Sequence, residues 1–177
     1  MNLPDYKELA INGIPLVELS INGRRAWKKS FTNLVPLSTE ADGKTIYNGG
    51  LGYKNGYRVR SSGAEAESYN AVCTGYIPFV KGDKLYIYPP FIGANVDNAI
   101  NFFDSSFSIL GQITDAGNGY GICNSNPTPF MTKVINGVSM LDLSQVTVSG
   151  VENIAYVRIT NKRGSEMIIT KNEEITA

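Results

Sequence analysis

Residues 155–160 read AYVRIT, and the order of side-chain types in that run decides the fold class. Ala155, Val157 and Ile159 alternate with Tyr156, Arg158 and Thr160. Successive side chains of a strand point to opposite faces, so one face of this run is apolar and the other mixed. Working outward, MIITK (167–171) follows it, and SMLDL (139–143) and MTKVI (131–135) precede it. Further back lie SILGQI (108–113), AINFFD (99–104), KLYIYPP (84–90), AVCTGYIPF (71–79) and YRVRSS (57–62). Each has ordinary strand length and is bounded by turn formers, among them Lys81-Gly82-Asp83 and Asp104-Ser105-Ser106. No window holds a sustained 3.6-residue apolar period. The expected fold is all-β, a jelly-roll-like β-sandwich.

The first thirty residues read differently. LVELSI (16–21) and RRAWKK (24–29) flank Asn22-Gly23, a dipeptide that accepts the positive φ angles of a type I′ turn. An earlier Asn12-Gly13 follows YKELAI (6–11), which gives about three short strands ending near Trp27. A two- or three-stranded ribbon is marginal alone, so it should pack on the rest of the chain or on another copy, with Trp27 buried at that contact. The expected organisation is therefore an N-terminal β-hairpin arm over residues 1–30 and a sandwich domain over 31–177. Residues 31–56, rich in Asn, Thr, Gly and Pro, read as a long loop leading into the sandwich. Residues 115–132 read as a Gly/Asn/Pro-rich excursion with little to bury, the kind of loop that carries binding surfaces.

A chain of 177 residues supports one well-buried core and an appendage. Sixteen basic and sixteen acidic side chains cancel, which removes the electrostatic footprint of a protein that wraps phosphate backbones, and nucleic acid is not an expected partner. So uncharged a surface suits neighbouring subunits or a neutral ligand. Residues 1–7 lack the basic-then-apolar order of a signal peptide, and no run approaches the roughly eighteen apolar residues of a membrane span, so neither secretion nor membrane insertion is expected. Cys73 and Cys123 lack CxxC spacing and read as buried free thiols; a disulfide would require the fold to bring them together.

The chain has no histidine, the side chain most used as a general base near neutral pH and the commonest metal-binding nitrogen. Triads of the Ser-His-Asp type are thereby excluded. Paired carboxylates remain chemically open through Asp42, Asp83, Asp97, Asp104, Asp115 and Glu65, but their spacing selects no pair. Gly43-Lys44-Thr45 imitates the end of a phosphate-binding loop, yet Ser38 stands where its first glycine belongs, so a plain turn is expected. Asp97 and Asp104, with Asn95, Asn98 and Asn101, lack the DxDxDG order of a calcium loop and read as turn formers. No catalytic residue, metal ligand or cofactor is assigned.

The ten tyrosines carry the most functional potential, because a ring with a polar edge both stacks on a sugar face and hydrogen-bonds a hydroxyl. Most are expected to pack over core edges or into subunit contacts. Tyr47, Tyr53, Tyr57 and Tyr69 lie in or beside glycine-rich segments. The candidate glycan-binding set is Tyr53, Tyr57 and Tyr69, with Asn55 and Arg58 as polar neighbours.

Four phrases carry a resemblance: TNLVPLSTEADGKTIYNGGLGYKNGYRVRSSGAE (32–65), TGYIPFVKGDKLYI (74–87), INFFDSSFSILG (100–111) and AYVRITNKRGSEMIITKNEEI (155–175). In these the chain resembles jelly-roll modules of tail, baseplate and receptor-binding proteins from phages and prophages of gut bacteria. The resemblance implies a carbohydrate-binding-module-like sandwich entered through the first phrase, with GYIPFVKGD (75–83) as strand and turn, FFDSSFSILG (102–111) as a central hairpin and NEEI (172–175) as a closing strand. It implies a non-catalytic structural or adhesion role in a virion tail, or in the bacterial cytoplasm before assembly. The implied partners are further copies of the chain, for instance in a trimer, other tail proteins and a cell-surface glycan. The alternative is a carbohydrate-binding accessory module of a bacterial surface or secreted protein; a small hydrolase is a third reading. The long repetitive shaft and coiled-coil heptads of tail fibres are missing from this sequence.

Overall fold

The computed structural model describes residues 10–11, 14–15, 18–21, 24–28, 34, 53–88, 90, 98–114, 116–162 and 167–175. The N-terminal segment forms two separate antiparallel ladders: β1 (Ala10–Ile11) with β2 (Ile14–Pro15), and β3 (Glu18–Ile21) with β4 (Arg24–Lys28). Four strands thus replace the expected three. Ile21 pairs with Arg24, the register of a two-residue connection at Asn22-Gly23. Trp27 stands opposite Leu19 on that ladder; its side chain lies outside the described residues. Outside them too are Gly43-Lys44-Thr45, Tyr47, Asp42, Asp97 and Asp115.

The remaining strands build an antiparallel sandwich, and the all-β expectation is the fold observed. The larger sheet is made of β5 (Tyr53–Val59), β6 (Glu65–Thr74), β9 (Ala99–Phe103), β10 (Ile109–Thr114), β11 (Gly119–Gly121) and β14 (Tyr156–Lys162), in the order β11-β10-β9-β14-β6-β5. The short β7 (Ile77–Pro78) pairs with the start of β14. The smaller sheet is β12 (Lys133–Ile135), β13 (Val138–Asp142), β8 (Lys84–Tyr88) and β15 (Ile168–Lys171), in that order. The chain crosses between the layers repeatedly, so neither sheet is completed by one continuous stretch of sequence.

Period-2 patterning explains which face each layer buries. Val157 and Ile159 of β14, Ile100 and Phe102 of β9, and Ile113 of β10 meet Leu85 and Ile87 of β8, Leu141 of β13 and Ile169 of β15 in one core. At about 25 cal/mol per Å² of apolar surface, each such side chain contributes roughly 1.5–3 kcal/mol to folding before entropy is counted. Cys123 belongs to this core, and burial pushes its thiol up to about 12; Cys73 is buried on the other side of the larger sheet, and the two form no disulfide.

Four expectations are corrected. Residues 53–56 are the start of β5 and not loop, and β6 begins at Glu65, six residues before the apolar run at Ala71 that marks it in the sequence. Residues 115–132 do bury side chains: a 3-10 turn at Thr128–Phe130 inserts Phe130 into the core, its ring centroid 5.6 Å from that of Phe102, and Cys123 is fully covered. The phrase NEEI is not a closing strand. The last strand ends at Lys171, and Asn172, with φ of 58°, turns the chain while its Oδ1 accepts the Lys84 N–H at 2.8 Å. Asparagine tolerates the left-handed region better than most residues, which is why a strand stops there.

The β5–β6 hairpin positions the site. From Tyr53↔Thr74 to Asn55↔Val72 it extends the sheet, but between Asn55↔Val72 and Tyr57↔Glu67 only Gly56, with φ of 75°, faces residues 68–71. This irregularity re-aims the hairpin, as bulges do. Its far end lies over the outer face of the larger sheet, where the Val59 N–H donates to Thr160 Oγ1 (3.1 Å), Gln112 Nε2 donates to Val59 O (3.1 Å) and Asn101 Nδ2 donates to Arg60 O (2.8 Å). Beneath it a second small core forms from Val59, Cys73 and Phe103, edged by Tyr57, Tyr76, Ile109 and Tyr156.

Candidate ligand-binding cleft

The outer face of the larger sheet is graded. Tyr156, Phe103 and Ile109 form an apolar row that the hairpin covers. In the next outward row Arg158, Asn101, Gln112 and Tyr120 lie side by side across β14, β9, β10 and β11. Residues opposite one another in a ladder stand about 4.5–5.5 Å apart at Cβ, so this is a continuous polar strip. The hairpin covers part of it and leaves the end nearest β11 open.

That opening is a cleft of about 300 Å³. Arg58, Val59, Arg60 and Ser61 line it from the hairpin, Gln112 and Thr114 from β10, and Asn118 and Tyr120 from the turn and strand that follow. Tyr120 is 48% exposed, a platform and not a core residue. Thr114 fixes the turn, its Oγ1 accepting the Asn118 N–H at 3.2 Å while its own N–H donates to Asn118 O at 3.0 Å. The Asn118 side chain takes part in neither bond. Glycine lets β11 sit where it does: a Cβ on Gly111 would stand 2.6 Å from Tyr120 O, and Gly121, at φ of 60°, has no room for one against the Leu110 carbonyl.

The hairpin is latched by a charge cluster behind the cleft. Arg158, its side chain only 5% exposed, donates from Nη2 to Glu65 Oε1 (2.6 Å) and from Nε to Thr74 O (2.9 Å), and its guanidinium lies 4.9 Å from the Tyr76 ring centroid. Lys54 Nζ takes the second Glu65 oxygen at 2.9 Å. Burial pushes the Glu65 carboxyl up, but the hydrogen bonds and charges of Arg158 and Lys54 outweigh it and hold the group below the usual carboxylate range. Asp104 and Asp83 serve turns. Asp104 Oδ1 accepts the N–H groups of Ser106 and Ser108, and Asp83 pairs with Asn172 and Lys171.

Of the residues proposed from sequence, the cleft contains Arg58. Tyr57, its neighbour, points to the opposite face of β5, half-buried against the small core with Lys54 Nζ 3.4 Å from its ring centroid. Tyr69 is 82% exposed within the irregular stretch of β6 and does not line the cleft. The backbones of Tyr53 and Asn55 lie on β5, and their side chains lie outside the described residues. The structure therefore does not gather Tyr57, Arg58 and Tyr69 on one surface, because strand alternation separates residues 57 and 58. Sequence reasoning passed over Arg60, Ser61, Gln112, Asn118 and Tyr120. One signal was present: Asn118 and Tyr120 belong to the segment read as a binding excursion.

A separate aromatic patch forms at the β9–β10 turn. Phe107, at φ of 62° and 51% exposed, stacks on Tyr156 with centroids 4.8 Å apart and meets Tyr76 edge-on at 4.9 Å.

Comparison with known proteins finds no family model, no curated protein and no solved structure that matches this chain.

Proposed function

We propose that this chain is a non-catalytic adhesion or assembly module that binds a surface saccharide in the cleft between the β5–β6 hairpin and β11. The observation that carries the reading is the composition of that cleft: an exposed tyrosine ring beside guanidinium, amide and hydroxyl groups, in a cavity of about 300 Å³. Sugars present an apolar ring face edged by hydroxyls, and an aromatic platform with convergent hydrogen-bonding groups matches both parts. The non-catalytic part is supported by Glu65, Asp83 and Asp104, whose carboxylates are engaged by cations, an amide or backbone donors. The absence of histidine from the sequence points the same way.

The phrases shared in style with phage and prophage tail modules support a virion setting. There, weak single-site recognition would gain strength from several copies displayed together. A jelly-roll type of adhesion domain, possessing both a rigid sandwich and a loop-side cleft, suits that setting.

The test is a glycan array probed with the intact chain and with Tyr120→Ala, each checked by circular dichroism. Loss of the aromatic platform should weaken binding up to about tenfold while the fold is kept. Binding to no glycan, or binding indifferent to Tyr120→Ala, contradicts the reading. Light scattering on the same sample should give a mass above that of one chain.

A further inference from the structure

We infer that Gln112 is the specificity residue of this cleft: its Oε1 accepts a hydrogen bond from one hydroxyl of the bound sugar, so the site requires a donor at that ring position. The inference rests on the saccharide reading above and adds to it what the cleft selects. Gln112 lines the cleft from β10 and is only 5% exposed, so its amide works where little water reaches it.

The orientation of this amide is fixed by its surroundings. Gln112 Nε2 lies 3.1 Å from Val59 O, and a carbonyl oxygen only accepts, so the nitrogen stands there and not the oxygen. The same nitrogen donates to Asn101 Oδ1 at 3.2 Å. Asn101 is set in the same way, because its Nδ2 donates to Arg60 O at 2.8 Å and leaves Oδ1 for Gln112. Turning the Gln112 amide over would lose both of its hydrogen bonds and set oxygen against oxygen at Val59 and Asn101. Two backbone carbonyls of the hairpin, those of Val59 and Arg60, thus decide which atom of Gln112 is left over.

That atom is Oε1. No described residue donates to it, and it is not among the atoms sealed from solvent without a partner. In the polar strip Gln112 has Asn101 on one side and Tyr120 on the other. Its nitrogen faces Asn101, and the oxygen of a planar amide lies away from the nitrogen, so Oε1 is turned to the Tyr120 side, where the cleft opens. A sugar ring stacked on Tyr120 carries its hydroxyls at its edge, and the one turned to Gln112 meets an acceptor with both lone pairs to offer. An ether, a fluorine or an anionic oxygen at that position brings no hydrogen and faces Oε1 with another electron-rich atom. A site built around a hydrogen bond rejects the analogue lacking it, because its own polar group is then left unpaired.

Titration calorimetry of the intact protein tests this with the methyl glycosides of glucose, galactose and mannose and with the monodeoxy and monodeoxyfluoro counterparts of each. For a glycoside that binds, one ring position should lose about tenfold or more in affinity in both counterparts, since fluorine replaces the hydroxyl without bringing a hydrogen. Gln112→Met, similar in length and without the acceptor, should bind the parent more weakly and no longer distinguish it from those two counterparts. This variant also gives up the bonds to Val59 and Asn101, so a measurement on the wild-type protein stands beside it. The Cδ NMR signal of Gln112 should shift on adding the parent glycoside and stay in place with the deoxyfluoro one. Counterparts that all bind within about twofold of the parent, a position effect that persists in Gln112→Met, or a Cδ signal unmoved by the parent overturns the inference, while the saccharide reading stands on its Tyr120→Ala result. Binding of none of the three glycosides also overturns it, and the saccharide reading falls as well only where no array glycan binds.

Discussion

At the scale of single residues, the outer face depends on side chains that stand in for backbone. Thr74 is the clearest case. β6 leaves the sheet there, and the Thr74 hydroxyl accepts the N–H of Ile159 at 2.9 Å while donating to Gly75 O at 2.9 Å. Both residues are fully buried, so Thr74→Val, equal in shape, leaves the Ile159 N–H without an acceptor. An unsatisfied buried donor costs about 1–3 kcal/mol, and thermal or urea unfolding should register that loss, with Thr74→Ser close to wild type. A Thr74→Val protein as stable as wild type would show that the hydroxyl is dispensable. Nothing in residues 71–79 announces this role, since a threonine at a strand end reads only as a β-former. Arg58 and Tyr57 make the same point: their chemistry was legible, but the face each occupies depends on where the strand begins.

At the scale of elements, the β5–β6 hairpin and β11 are the two walls of the cleft, and each has one weak point. For the hairpin it is the Arg158–Glu65–Lys54 cluster. Glu65→Gln should cost about 1–2 kcal/mol at pH 7, less than the 3–5 of a fully buried pair because the Glu65 side chain is 30% exposed. The sign of its pH dependence follows from the lowered pKa. Unfolded, the group titrates near its ordinary value of 4.5; folded, it titrates below that. The carboxylate's contribution is therefore present in full above about 4.5 and fades as pH falls through the lower folded value. Urea midpoints for wild type and Glu65→Gln should converge between pH 7 and pH 3, and a gap independent of pH would refute the latch. For β11 the weak point is Gly121, which combines a φ of 60° with contact against the Leu110 carbonyl. Gly121→Ala should cost more than the roughly 1 kcal/mol of a left-handed alanine alone and should loosen the strand that carries Tyr120. Hydrogen exchange at residues 119–121 would report it, and unchanged protection would contradict the assignment.

At the scale of the whole molecule, the layers were legible and their crossings were not. AYVRIT, AINFFD, KLYIYPP and MIITK became β14, β9, β8 and β15 because alternation and turn formers act locally. The residues lining the cleft come from three separated stretches, 58–61, 112–114 and 118–120, and meet only because the hairpin is re-aimed at Gly56 and lies across the sheet. No short-range pattern encodes that meeting. Phe130 illustrates the same limit from the core side, since it lies in a stretch that reads as having little to bury, yet it fills the space against Phe102.

The central claim is that the open end of the outer face binds the ligand, and its most direct measurement is backbone amide NMR of the intact protein titrated with an oligosaccharide taken from a positive array feature. The account expects saturable shifts concentrated at Ser61, Asn118 and Tyr120, with the Tyr69 region and the β9–β10 turn unmoved. Shifts centred on Tyr69 or Phe107, with residues 58–61 and 118–120 silent, would contradict it.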